Sequence, residues 1–441
     1  MFSARRSGHS TRETEHRTLN TGNRQGKSVG LIELSSGSVL SPMGLGSAPL
    51  GSAQYPATSL SARPADVQDY DPARLVFLDV ARVLAILFMI QGHALDVLLA
   101  PAYRQGLLFD GWLFLRGLTA PMFFILSGVS FTLSTLRSWE DYLQPSWKLF
   151  QRLIRFAFFV LLGYAMHLPA RSLRDFQYVD AAGWQGWFQV DVLQCIGLTL
   201  LSLQILVLLV RTPQRLARWG AGLGGAIILL APLAWTMDWA RYLPLPIASY
   251  FNSQTGSLFP WFPWAGYVFF GAALGYVLRQ WPATPRQFTR LFAAGGLALL
   301  VSGILLSKPV MLLYTHMDFW KTSPTLFLIR AGCVCLLLAF FSRVTPALSI
   351  SQRAWRSLAQ ESLLIYFVHV CILYGSIWNL GLRQVIGSTL APLPTLGWTC
   401  LLLLAMMLLA WTWNGFKRAE PRRSYLLRFA ILVLAIAHPW A

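Results

Sequence analysis

From residue 75 onward the chain is dominated by long, nearly uninterrupted apolar runs. They fall at 75–100, 107–134, 150–168, 189–210, 219–237, 260–278, 290–306, 324–342, 357–379 and 393–413, with a shorter run at 425–438. Most approach the roughly 20 residues that a helix needs to cross hydrocarbon. In that medium every backbone N–H and C=O must be bonded internally, which a helix achieves within its own segment. The runs lack the ten-residue alternation of a membrane-barrel strand. The pattern predicts an all-α integral membrane protein, a multi-pass bundle of about 10–11 transmembrane helices. The run at 425–438 is short enough either to span or to lie in the interface.

Composition and charge sharpen this picture. The 441 residues are 55% hydrophobic and only 12% charged, against roughly 25% charged in a soluble domain. Positive residues gather in alternate loops. With a cytoplasmic N-terminus, the inner loops hold Arg137, Lys148, Arg152, Arg155, Arg211, Arg215, Arg218, Arg279, Arg286, Arg290, Arg343, Arg353, Arg356, Lys417, Arg418, Arg422 and Arg423. Far fewer fall on the other side: Arg104, Arg171, Arg174, Arg241, Lys308, Lys321 and Arg383. This is the positive-inside bias. It accounts for most of the +18 net charge and makes membrane lipids, not nucleic acid, the partner of that charge. Residues 1–71 are rich in Ser, Gly, Arg, Thr and Pro and are expected to form a disordered cytoplasmic tail, or in part to reflect an upstream start codon. The transmembrane core is expected over 72–415, followed over 416–441 by a basic cytoplasmic segment and the short final apolar helix. The tail has no secretory-signal pattern, so the first span is expected to target the chain. Cys195, Cys333, Cys335, Cys371 and Cys400 all lie in or beside apolar runs, and their spacing matches neither a metal site nor a disulfide framework.

Ionisable groups within hydrocarbon cost at least roughly 2.5–3.5 kcal/mol each on insertion scales, so they mark pairing or function. The first span contains Asp79, Arg82, His93 and Asp96. Asp79 and Arg82, three apart, pair on one helix face. Arg82 and His93, eleven apart, also point the same way and stand about 16 Å apart along the axis. Asp96, one turn beyond, is placed to hold a ring nitrogen of His93 and fix its tautomer. An arginine at the inner end and a base deeper in suit a donor whose nucleotide stays in the cytoplasm while a thin thioester arm threads inward. Acyl-coenzyme A has that shape, and His93 would deprotonate an acceptor hydroxyl or amine. In LFQRLIRFAFFV, Arg152 and Arg155 are three apart and are expected on one helix face at the inner mouth of the third span. They suit either the phosphates of coenzyme A or ordinary inner-face anchoring.

These segments carry a resemblance. LDVARVLAILFMIQGH, TAPMFFILSGVSF ending its motif at Ser127 and Gly128, and RLIR resemble the membrane-bound acyltransferase 3 family. VDVLQCIG at 190–197, FPWFPWAGYVFFGAALG at 259–275, SPTLFLIRAG at 323–332 and ESLLIYFVHV at 361–370 are closer to the related heparan-alpha-glucosaminide N-acetyltransferase-like family and its bacterial members. The ordered set covers roughly residues 72–415. The resemblance implies transfer of an acyl, in particular acetyl, group from cytoplasmic acyl-coenzyme A to an extracytoplasmic glycan or sugar, in a bacterial inner membrane and without a metal. It implies Arg82 and His93 as the essential pair and Arg152 and Arg155 as donor-binding residues. The lysosomal enzyme of the second family uses a luminal histidine between the first two spans of this core. The matching stretch here, LLFDGWLFLRG, has none, and Asp110 is its only acid. The bond-making role therefore falls to His93.

Other polar positions are candidates for the cavity or the acceptor. Arg116 is expected to pair with Asp110 or Asp96 or to meet an acidic acceptor, and His369 lies mid-span where it can join His93. Arg330 is expected to be paired, and Glu361 to cap a helix or pair near the inner face. Pro260 and Pro263 mark a helix entry, and Gly266, Gly271 and Gly275 permit close helix contact. Trp184, Trp187, Trp239, His316 and Asp318 in the outer loops are candidate acceptor contacts. Small-residue spans suit a homodimer as well as packing within one bundle. The rival class is a proton-coupled, sugar or lipid transporter using the same buried Arg, His and Asp groups; no inverted repeat of interrupted helices is evident to favour it.

Overall fold

The computed structural model describes residues 76–172, 174–281, 284–345, 352–420 and 423. The tail expected over 1–71 and the final apolar segment at 425–438 lie outside the described residues. Within them the chain is helical, with two isolated bridges, Leu99 to Leu390 and Ser376 to Asn379, and no strand ladder.

The first apolar run is α1 (Val76–Leu98). The second is α2 (Leu107–Arg116) followed, after a turn at Gly117 and Leu118, by α3 (Thr119–Arg137). Next come α4 (Trp147–Met166), the short α5 (Ala181–Phe188), α6 (Val192–Val210), α7 (Pro213–Thr236) and a single turn, α8 (Leu245–Ala248). The chain continues through α9 (Trp261–Gln280), α10 (Pro285–Leu305), short α11 (Ser307–Leu313) and α12 (Phe319–Thr322), and α13 (Pro324–Val344). It closes with α14 (Gln352–Gln360), α15 (Ser362–Tyr374), α16 (Leu382–Val385) and α17 (Pro392–Ala419).

Among the described residues, nine stretches are long and apolar enough to cross a membrane: α1, α2 with α3, α4, α6, α7, α9, α10, α13 and α17. The tenth run, expected as one span over 357–379, is instead two helices. They meet at Glu361, whose backbone (φ −95°, ψ 15°) leaves the helical region. Its buried carboxylate accepts from Asn414 Nδ2 at 3.1 Å and pairs with Lys417, both on α17. A carboxylate within apolar helices requires such partners, and the break in the helix coincides with them.

Starts are set locally. Asp191 and Gln194 form a capping box on α6, Ser146 and Thr212 cap α4 and α7, and Ser323 caps α13 ahead of Pro324. Pro260 is the N-cap of α9, and Phe262, preceding Pro263, is extended (φ −96°, ψ 118°) as a residue before proline tends to be. The chain reverses between successive spans, which fixes two ends of the bundle. Arg82 Nη2 donates to Ser130 Oγ at 2.6 Å, joining the start of α1 to the end of α3. At the opposite end Leu390 N donates to Leu98 O at 2.9 Å, joining the end of α1 to the approach of α17. We refer to these as the Arg82 end and the His93 end.

More than half of α1, α6, α9 and α13 is buried, whereas α4, α10 and α17 expose most of their surface. The former make the centre of the bundle and the latter its rim. At the centre α3 and α9 touch backbone to backbone. A Cβ at Gly128 would lie 2.0 Å from the Val268 carbonyl oxygen, and one at Gly271 would lie 2.1 Å from that of Ile125. Neither neighbour is a movable side chain, so the two helices pack this closely only because both positions lack a Cβ. Replacing Gly271 with Val is therefore expected to force α3 from α9 and destabilise the fold by about 1–3 kcal/mol or more. Gly225→Ala on α7, where a Cβ meets nothing within 4 Å, should be neutral. Thermal unfolding in detergent checks this; equal losses for both variants would contradict the packing argument.

Candidate active site

The rotation of α1 is set by Ile86, Ile90, Ala94, Val97 and Leu98, which pack with Ile365 and Leu373 of α15 and Leu402, Met406 and Ala410 of α17. With that face fixed, His93 turns towards α15. Its Nδ1 lies 3.0 Å from the Tyr374 hydroxyl, and its ring centroid lies 5.5 Å from that of His369. His369 is fully buried. Its Nδ1 faces the Ile365 carbonyl oxygen at 2.7 Å, and since a carbonyl only accepts, Nδ1 carries the proton. Nε2 of His369 is then a bare acceptor, and among the described residues it has no hydrogen-bond partner. An unmatched buried nitrogen costs about 1–3 kcal/mol, and of the buried atoms without a partner this one lies beside the His93 ring. The sequence places His369 beside His93 only as one option; the structure brings the two together.

Asp96 does not orient the His93 ring. Both of its carboxylate oxygens engage Arg116, Oδ1 at 2.7 Å from Nη1 and Oδ2 at Nη2. The bidentate fork suits guanidinium better than a single ring nitrogen. Tyr374, on another helix, takes the place expected for Asp96. Arg116 reaches Asp96 by crossing α1 at Gly92, where a Cβ would lie 2.8 Å from its Nε. Trp112 packs under the guanidinium, 5.5 Å from ring centroid to Cζ, and donates to Gln91 Oε1 at 3.1 Å. Asp110, the alternative partner of Arg116, is exposed in the first turn of α2. Arg330 Nη2 lies 3.9 Å from where a Cβ at Gly117 would stand.

At the other end Arg82 donates to Asp79 Oδ1 at 3.2 Å and to Ser130, while its side chain stays 21% exposed. Arg152 and Arg155 do not share a face as their spacing led us to expect. Arg152 is buried, and it donates to Thr135 Oγ1 at 2.8 Å, Gln204 Oε1 at 3.1 Å and Ser134 Oγ at 2.9 Å. Its guanidinium also stacks on Tyr142, 3.3 Å from the ring centroid. Arg155 is exposed. Every direction around Arg152 is occupied by protein, so its guanidinium braces α3, α4 and α6.

Sequence reasoning missed five residues at the His93 end, Tyr374 among them. Tyr366, on the same face of α15 as His369, donates to Asp191 Oδ2 at 3.2 Å, and the Tyr366 and His369 rings meet edge to face at 5.8 Å. His167 Nε2 faces Asp191 Oδ2 at 3.5 Å, and Gln189 Nε2 lies 3.0 Å from His167 Nδ1. Asp191 followed three residues later by Gln194 reads as a helix start, which hides its second role. Tyr366, three residues before His369, was available as a helix-face neighbour, whereas Tyr374 meets His93 across two helices, which spacing does not show. Elsewhere at the His93 end Trp184, Trp187 and Phe188 form an aromatic stack. An open cavity of about 400 Å³ is lined by Pro232, Trp235, Thr236, His316, Asp318 and Thr322. Among the described residues no group of three or more His, Cys, Asp or Glu side chains is placed to hold a metal ion.

The engagement of Arg152 has a direct consequence. Arg152→Ala strands Thr135, Ser134 and Gln204 and is expected to cost about 2–3 kcal/mol of stability, whereas Arg155→Ala should unfold like the wild type. Thermal melts of the two variants at matched detergent concentration check it; an unaffected Arg152→Ala protein would remove the bracing role.

Residues 74–301 match the family described as heparan-alpha-glucosaminide N-acetyltransferase, catalytic. The matched region includes Arg82, His93, Asp96, Arg116, Arg152 and Asp191, while His369 and Tyr374 lie beyond it. No curated protein matches the chain. With more than half of its residues in that match, on a bundle of apolar helices that focuses two histidines at one end, the chain belongs to the heparan-alpha-glucosaminide N-acetyltransferase family.

Proposed function

We propose that the protein transfers an acyl group, in particular acetyl, from acyl-coenzyme A entering at the Arg82 end to a hydroxyl or amine of a sugar or glycan at the His93 end. The N-terminus and the Arg82 end face the cytoplasm of a bacterial cell, in its inner membrane, because the Lys and Arg residues concentrate in the loops at that end. The observation that carries the reading is the pair of imidazoles, His93 and His369, each tied at Nδ1 and one with a buried, unpartnered Nε2. A general base must present a free lone pair to the proton it removes, with its other nitrogen fixed.

With Nδ1–H directed to the Tyr374 oxygen, His93 Nε2 takes the proton from the acceptor O–H or N–H as that atom attacks the thioester carbonyl. The new C–O or C–N bond forms, the C–S bond breaks, and the leaving thiolate of coenzyme A recovers the proton from the imidazolium. His369 lines the same space through its Nε2. Arg82, partly exposed and already steered by Asp79 and Ser130, binds the donor phosphates as a point of positive charge. Arg152 supports the wall beside it. Asp96 and Arg116 frame the acceptor side. The outer cavity beside Trp235 and Asp318 offers an aromatic face and polar groups of the kind that contact sugars.

The test is release of free coenzyme A from acetyl-coenzyme A by purified protein in detergent, with and without simple amino sugars. His93→Ala and His369→Ala at matched folded yield should each lower kcat by about 10²–10⁴-fold. Arg82→Ala should chiefly raise the donor KM. Folded wild-type protein that neither binds nor consumes acyl-coenzyme A would overturn the reading in favour of transport, which shows as substrate counterflow without acyl consumption.

A further inference from the structure

Asp191 has no part in the chemistry above, although it is buried beside it. Its side chain is only 15% exposed. Oδ1 caps α6 by accepting from Val192 N at 2.7 Å, while Oδ2 accepts from Tyr366 and faces His167. Burial pushes its carboxyl up, but His167 and the Val192 amide outweigh burial and hold it below the usual carboxylate range. It therefore keeps its charge at neutral pH. The titratable groups facing it are His167 at the end of α4, His93 on α1, Tyr366 and Tyr374 on α15, and Cys195 on α6 itself.

The charges that bear on His93 are Arg116, Asp191 and Asp96. Arg116 and Asp96 are joined in a bidentate pair, so Asp96 offsets part of the Arg116 charge. His167 Nε2 faces Asp191 Oδ2 at 3.5 Å and Gln189 Nε2 lies 3.0 Å from His167 Nδ1, so the ring is held beside the carboxylate. Tyr366 links Asp191 to the two histidines: its hydroxyl donates to Oδ2, its ring meets that of His369, and the His369 ring lies 5.5 Å from that of His93.

Resting on the acyl-transfer reading, we propose that Asp191 is a positioning residue for that reaction: held by Tyr366 and His167, its carboxylate stabilises the imidazolium formed when the acceptor gives its proton to the His93 and His369 pair. No further reactant is needed. The proton moves from acceptor to imidazole and on to the leaving thiolate, while Asp191 remains ionised throughout. An imidazolium in a low-dielectric bundle needs a nearby opposite charge, and a carboxylate fixed in advance supplies it without reorganisation.

The sign is definite. A negative neighbour favours the protonated ring, so it raises the pH below which the base is lost. Asp191→Asn keeps an N-cap residue at α6 but removes the charge. It should move the acid limb of the kcat profile down by about half to one pH unit and lower kcat about 3–10-fold, with the donor KM unchanged. His167→Gln releases one of the two side chains that hold Oδ2, so it should shift the acid limb as well. A merely structural Asp191 would lower the melting temperature and leave the acid limb in place. An unmoved limb in folded Asp191→Asn protein overturns the proposal; if that variant does not fold, an unmoved limb in His167→Gln does so. Should the wild type show no turnover, the transferase reading fails separately. Histidine ring titration by NMR of ¹³C-histidine protein then decides the coupling, with a titration of His93 and His369 unaffected by Asp191→Asn counting against it.

Discussion

A charge or hydrogen-bond donor enclosed by apolar helices has no water to fall back on, and that constraint organises this molecule. Arg152 is taken up by Thr135, Ser134, Gln204 and the face of Tyr142. Glu361 is matched by Asn414 and Lys417 at the break between α14 and α15. Arg116 crosses Gly92 to grip Asp96 with both arms. Each of these ties joins separate helices, so polar satisfaction and helix arrangement are one problem. Among the few buried side-chain atoms that have no partner within the described residues, His369 Nε2 is the one that lies against a second imidazole, His93.

The helices themselves were legible because the medium imposes them. Apolar runs of spanning length must be helical in hydrocarbon, and nine of the ten longer runs are continuous apolar stretches among the described residues. The tenth was misjudged in form, since apolar length alone does not show that Glu361 is pulled aside by residues over fifty positions away. Pro260 and the glycines of α9 were also readable: a proline starts the helix, and Gly271 and Gly275 lie against α3. Those features depend on local backbone chemistry, which sequence carries directly.

The site was only half legible, for a physical reason. Within one helix, spacing fixes which side chains share a face, so Arg82 and His93 could be placed along α1. Spacing does not decide which of several neighbours a side chain chooses. Asp96 is one turn from His93, yet the bidentate geometry offered by Arg116 claims it, and Tyr374 from α15 reaches the ring instead. Arg152 and Arg155 stand three apart, but one points into the bundle and the other out. Pairing across helices depends on their rotation, which is set by cores such as the contact of Ile86 and Ile90 with Leu402 and Met406. A single sequence does not display that rotation. Asp191 was overlooked for a related reason: a residue with a sufficient local explanation, as a helix cap, attracts no second one.

The separation of the two ends bears on how such a bundle handles a charged donor. About 16 Å of α1 lies between Arg82 and His93, a distance that neither side chain bridges. A bulky anionic headgroup can therefore rest at one end while chemistry proceeds at the other only if the connecting part is slender and uncharged. The same length keeps the positive charge of Arg82 from disfavouring a cation at His93. Near His93 itself Arg116 would repel an imidazolium, and its bidentate engagement by Asp96 offsets part of that charge. The pairing of Arg116 with Asp96 is then more than a structural tie between α1 and α2, since it moderates the field at the end of the bundle where the two histidines meet.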